Sequence, residues 1–71
     1  MLKINNLSGM VKLIVQERDF MTDQMKWVAA MENEITEEKD ADAYITRATT
    51  RDPDLWVIEI EDKDLRNPFE E

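Results

Sequence analysis

The sequence predicts an α+β domain: hairpin–helix–hairpin, with an antiparallel sheet of three to four strands and one helix packed on it. Three observations predict it. An early apolar run rich in β-branched residues follows a turn-forming cluster, a central stretch repeats its apolar residues at helical spacing, and a late run alternates between two faces. At 71 residues the chain is one small domain, of a size that buries only about 60% of the surface its unfolded form exposes. Residues 1–61 form that domain in this reading, and 62–71 an acidic, flexible tail.

The elements follow in order. Leu2-Lys3-Ile4 is a short strand, and Asn5-Asn6-Leu7-Ser8-Gly9 gathers turn formers with the only glycine. Met10-Val11-Lys12-Leu13-Ile14-Val15-Gln16 is the second strand, joined to the first by a turn near Gly9. Both of its side-chain sets are largely apolar, so both faces are expected to be covered, one by the helix and one by something else.

Thr22-Asp23 reads as a helix start, a hydroxyl cap followed by an acid near the positive end of the dipole. Gln24, Trp27, Val28, Met31 and Ile35 then recur at helical spacing, with Ala29 and Ala30 favouring the conformation. Trp27 and Met31 are core residues in this reading. Glu32, Glu34, Glu37 and Glu38 would crowd the last turns, where the dipole prefers cations and each acid costs roughly 0.3–1 kcal/mol. Glu34 and Glu38 would add a like-charge i,i+4 pair worth roughly 0.2–0.5 kcal/mol. A small fold that keeps such an arrangement points to a use for it.

Residues 40–50 admit two readings. Ala41, Tyr44, Ile45 and Ala48 fit a helical stripe. Ile45, Thr46, Thr49 and Thr50, before Arg51-Asp52-Pro53-Asp54, fit a strand entering a turn. The strand is preferred because Leu55-Trp56-Val57-Ile58-Glu59-Ile60-Glu61 is a clear strand partner, with Trp56, Ile58 and Ile60 on one face. One helix cannot cover both faces of such a sheet, so a symmetric homodimer is expected.

Composition excludes several kinds of chemistry. Cysteine and histidine are both absent, which removes disulfides, thiolate metal sites and the commonest general base. With Ser8 the single serine, no Ser/His or Cys/His nucleophile can be assembled, and no enzyme is expected. Asp40-Ala41-Asp42, Asp52-Pro53-Asp54 and Asp62-Lys63-Asp64 lack the central glycine and closing glutamate of a calcium loop, so turn chemistry explains them and no metal or cofactor is expected. Asn67-Pro68-Phe69 matches a short adaptor-binding motif, but Asn-Pro is also ordinary turn chemistry. No apolar run is long enough to span a bilayer and no signal peptide is recognised, which favours the cytoplasm.

The charge is the informative feature. The formal net charge is −8, and it is unevenly placed. In residues 1–31, Lys3, Lys12, Arg18 and Lys26 outnumber Glu17, Asp19 and Asp23 by one. In residues 32–71, fourteen carboxylates face Lys39, Arg47, Arg51, Lys63 and Arg66, a surplus of nine acids. This argues against nucleic acid or an anionic membrane as partner and for a basic protein surface. The bland alternative is a solvated face that keeps the protein soluble. The functional one rests on spacing. Acids alternating along a strand recur about every 6.6 Å, and helical ones at i,i+4 lie about 6 Å apart, so Glu34, Glu37, Glu38, Asp40 and Asp42, then Glu59 and Glu61, could substitute for phosphates.

In size, composition and the charge pattern of Glu32 to Glu61, the chain resembles the phage-encoded DNA-mimic inhibitors that seize host proteins, among them the inhibitors of the nucleoid protein HU. The resemblance implies a compact, often dimeric inhibitor that acts in the host cytoplasm and blocks the DNA-binding surface of a basic protein such as HU. A structural or regulatory interaction subunit, or an antitoxin that neutralises a basic toxin, is the alternative.

Overall fold

The computed structural model describes residues 1–69. Along the chain run β1 (Leu2–Asn5), β2 (Met10–Asp19), β3 (Gln24–Ala29), β4 (Ile35–Glu37), α1 (Glu38–Arg51) and β5 (Ile58–Glu61). One helix lies on one sheet, the α+β arrangement that the sequence predicts. The sheet runs β3-β2-β1-β5, with β4 also on β2, and it is mixed: β5 pairs parallel with β1, the other pairs antiparallel.

The turn between β1 and β2 is made where the asparagines and glycine predict it. The Asn5 side chain accepts from the Leu7 N–H at 2.7 Å, and that of Asn6 from Ser8 and Met10 at 2.7 and 3.1 Å. Leu7 and Gly9 both take positive φ, 67° and 94°. Glycine does so at no steric cost, whereas leucine does not.

β2 is the strand on which the sheet is built. Its first three residues pair with β4 and its last six with β3, so these two strands lie end to end along one edge. Between them the chain leaves the ladder and returns. Ala30 N–H donates to the Leu13 carbonyl at 3.0 Å, and the Leu13 N–H donates to Glu34 at 3.3 Å, so Leu13 holds both ends of the excursion.

The elements between residues 22 and 51 differ from the sequence reading. The residues expected to open and fill a helix form β3 and β4 instead. Asp19 pairs with Gln24, which makes Phe20–Asp23 a hairpin turn closed by Asp23 N–H to Asp19 O at 2.7 Å. Trp27, Val28 and Met31 fit a helical period, but Met25 and Trp27 also alternate with Lys26 and Val28. The long β2 strand rewards the second period with a six-residue ladder. The helix lies over residues 38–51 and so includes residues 40–50, for which the sequence favours a strand. Its stripe is the one formed by Ala41, Tyr44 and Ile45, and the hydroxyls of Thr46, Thr49 and Thr50 bond to carbonyls one turn back at 2.7–3.3 Å. There is accordingly no hairpin around Pro53; β5 crosses over to the far edge beside β1.

The charges at the two ends of α1 suit its dipole. Glu38 and Asp40 stand in the first turn of α1 and Arg51 in its last, which is where the dipole favours each sign. Glu34 is not in the helix, so it forms no like-charge i,i+4 pair with Glu38.

Two cores flank the sheet. On the helix side Val11, Leu13 and Ala41 are buried, with Met31, Tyr44 and Ile45 packed around them. On the other side Leu2, Ile4 and Ile14 are buried against Trp27, Ile60 and Leu65. The second cover is therefore the segment after β5. Leu65 packs on the core, Asn67 is buried, and the Phe69 ring stacks on Trp27 with centroids 6.4 Å apart. The last two residues of the predicted tail, Glu70 and Glu71, lie outside the described residues. Among those described, no helix is long and apolar enough to cross a membrane.

Candidate partner-binding site

β1 alternates Leu2, Lys3, Ile4, Asn5, so the residues pointing away from its apolar core, Lys3 and Asn5, face the helix side. Lys3 pairs in register with Leu13 on one flank and Glu59 on the other. α1 passes above with Glu38 and Asp42 one turn apart. The result is a buried ammonium, Lys3 being only 5% exposed, held by three carboxylates. Its Nζ donates to Glu38 Oε2 at 2.9 Å and Asp42 Oδ1 at 2.7 Å, and Glu59 Oε2 lies at 3.6 Å. Asn5 Nδ2 donates to the same Glu38 oxygen at 2.9 Å.

Burial alone would lower the Lys3 pKa. The hydrogen bonds to Asp42 and Glu38, with the charges of Asp42 and Glu59, outweigh it and raise the pKa above that of a free lysine. The three acids are far less buried, their side chains retaining 38%, 55% and 51% of their exposure. One cation thus fixes three carboxylates in place while leaving two negative charges uncompensated. Glu61, in register with Asn5, continues the ridge along β5.

The seven acids singled out from sequence do not form one row. Glu38, Asp42, Glu59 and Glu61 are brought together. Glu34 lies apart, paired with Lys12 at 2.9 Å, and Glu37 pairs with Lys39 at 3.4 Å. Asp40 turns toward a cavity of about 330 Å³ that it lines with Met31, Thr36 and Arg47. Five of the seven thus have a lysine of the same chain within 4 Å, and among the described residues only Asp40 and Glu61 have no such partner.

A second acidic turn follows β5. The Asp62 carboxylate accepts the Asp64 N–H at 2.9 Å and the Arg66 guanidinium at 3.1 Å. The backbone bond above all holds its pKa below the ordinary aspartate value. Among the described residues, no group of three or more carboxylates is arranged to hold a metal ion.

Lys3 was missed as the centre of the site. The signal was present: a lone lysine between Leu2 and Ile4 in a strand must either reach solvent or find acids. Trp56, read as part of one strand with Ile58 and Ile60, instead lies just before β5 and is 80% exposed, its backbone carbonyl accepting from the Met1 amino group at 2.9 Å.

The chain belongs to a family of proteins of unknown function, DUF1491, whose sequence profile matches residues 1–70. No curated protein and no solved structure matches it.

Proposed function

We propose, for this member of that family, a non-catalytic cytoplasmic binding module whose partner is a basic protein. The single observation that carries it is the ridge of Glu38, Asp42 and Glu59 around Lys3. Fixed carboxylates lose little side-chain freedom on binding, so a lysine or arginine of the partner meets a preorganised acceptor set. The surplus charge steers association and makes it sensitive to salt.

The finer form of the proposal is a DNA-mimic inhibitor, in which the ridge and Glu61 occupy the DNA-binding surface of a basic protein such as HU. It is narrower than the seven-acid row suggested by the sequence, since Glu34, Glu37 and Asp40 point elsewhere. A pull-down from bacterial lysate, eluted stepwise with salt and challenged with duplex DNA, tests both levels. Basic proteins released by salt and displaced by DNA support the inhibitor. Basic proteins released by salt but indifferent to DNA leave only the basic-partner module. Retention that ignores salt would sink both.

A second reading, a structural or regulatory subunit that forms a homodimer, draws on a different observation. On the sheet face opposite the helix, Met25, Ile35, Ile58 and Phe69 remain half-exposed although Leu65 covers the centre. Sedimentation at micromolar concentration tests this reading, which requires twice the 8.4 kDa chain mass.

A further inference from the structure

We infer that the open edge of β5 takes up an extended, basic strand from the partner, one in which lysine or arginine alternates with apolar residues; the inference rests on the basic-partner reading above. β5 ends the sheet, with β1 as its one neighbour in the strand order. The N–H of Ile58 donates to Met1 O and that of Asp62 to Asn5 O, both at 3.0 Å. By the alternation of a parallel ladder, Ile58 and Ile60 turn their backbone groups toward β1, and Glu59 and Glu61 turn theirs outward. Among the described residues, the donors and acceptors left free along the edge therefore belong to the two glutamates.

The edge is short, four residues, and carries two glutamates, so it discourages pairing with any but a basic strand. Apolar surface adjoins it: Ile58, within the strand, is 47% exposed, and Trp56, just before the strand, 80% exposed. The side chains fix what associates. A strand added to β5 sets alternate residues beside Glu59 and Glu61 on the helix side, and the others beside Ile58 and Ile60 on the opposite side. Opposite charges across neighbouring strands stabilise and like charges repel. Basic residues are thus selected on one face and apolar ones on the other.

The same rule argues against a second copy of this chain at the edge. Two β5 strands side by side would bring Glu59 and Glu61 against Glu59 and Glu61, with Asp62 following.

The test uses the full chain and a dye-labelled heptapeptide of alternating lysine and valine, capped at both ends. Two further peptides accompany it, one N-methylated at every backbone amide and one with glutamate in place of lysine. Anisotropy is expected to show binding of the first peptide at low salt and at least tenfold weaker binding of the other two. Amide hydrogen exchange is expected to slow at Glu59 and Glu61 on binding. Glu61→Pro removes an outward donor while leaving the ladder to β1 intact, and should lower affinity further than Glu61→Gln does.

Equal binding of the N-methylated peptide would overturn strand addition while leaving the basic-partner reading in place. Equal binding of the glutamate peptide would overturn both. No binding of any peptide, or slowed exchange at Glu59 and Glu61 that depends on protein concentration alone, would overturn the inference in favour of an empty edge or self-pairing respectively.

Discussion

The Lys3 ammonium and the Asp42 carboxylate meet at 2.7 Å across 39 residues of sequence, joining the first strand to the second turn of the helix. The two partners are unequally buried, and the asymmetry decides which half matters more. Removing the acids strands a cation in the interior, whereas removing the cation leaves carboxylates that can turn to water. Glu38→Gln with Asp42→Asn is therefore expected to destabilise the fold by about 1–2 kcal/mol, below the range for a fully buried pair because both acids are partly exposed and Glu59 stays near the ammonium. Lys3→Met should cost clearly less, and its cost should shrink as salt screens the remaining acids. Urea unfolding of the two variants at low and high salt checks the order, and a larger loss from Lys3→Met would contradict it.

The raised pKa of Lys3 fixes the alkaline behaviour. Its stabilising contribution is complete below the pKa of an unfolded lysine, about 10.4, and is lost as pH rises from there through the higher folded value. Stability is accordingly expected to owe no pH dependence to Lys3 between pH 7 and 10, then to fall above that window in the wild type more steeply than in Lys3→Met. Thermal unfolding followed by circular dichroism across pH 7 to 12 provides the comparison, and identical alkaline limbs in the two proteins would refute the assignment.

The legible parts of this fold were those with purely local causes. Asn5, Asn6 and Gly9 determine their own turn, and the β-branched run from Met10 determines β2. The segment from Gln24 to Glu37 was not legible, because Trp27, Val28, Met31 and Ile35 satisfy a helical period that only the length of β2 outcompetes. Thr46, Thr49 and Thr50 misled in the opposite sense: their β preference is offset by hydroxyl bonds to the preceding turn, visible only once the helix exists. Of the candidate site, the acids could be named but not their grouping. Glu38, Asp42 and Glu59 converge through a parallel β1–β5 pairing for which the sequence carries no signal.

The stacking of Phe69 on Trp27 makes the segment after β5 part of the fold. Phe69→Ala is expected to cost about 1 kcal/mol from the aromatic pair, and to speed proteolysis between Asp62 and Phe69. In a Trp56→Phe background, Trp27 emission should shift to the red when Phe69 is truncated. An unchanged spectrum together with unchanged protease resistance would show that the contact does not form in solution.

Glu37 separates stability from binding. It occupies the N-cap position of α1, with no hydrogen bond from its side chain to the helix. Glutamate is too long for that role, whereas serine or aspartate reaches the second or third N–H of the helix. Glu37→Ser is therefore expected to stabilise the protein by about 1 kcal/mol, at the loss of only the exposed pair with Lys39, which contributes little. Because Glu37 lies apart from the Lys3 ridge, the same change should leave affinity for a basic partner within twofold, whereas Glu61→Lys should reduce it at least tenfold at low salt. A Glu37→Ser protein that is more stable yet has lost its partner would place the binding surface at the start of the helix instead of along β5.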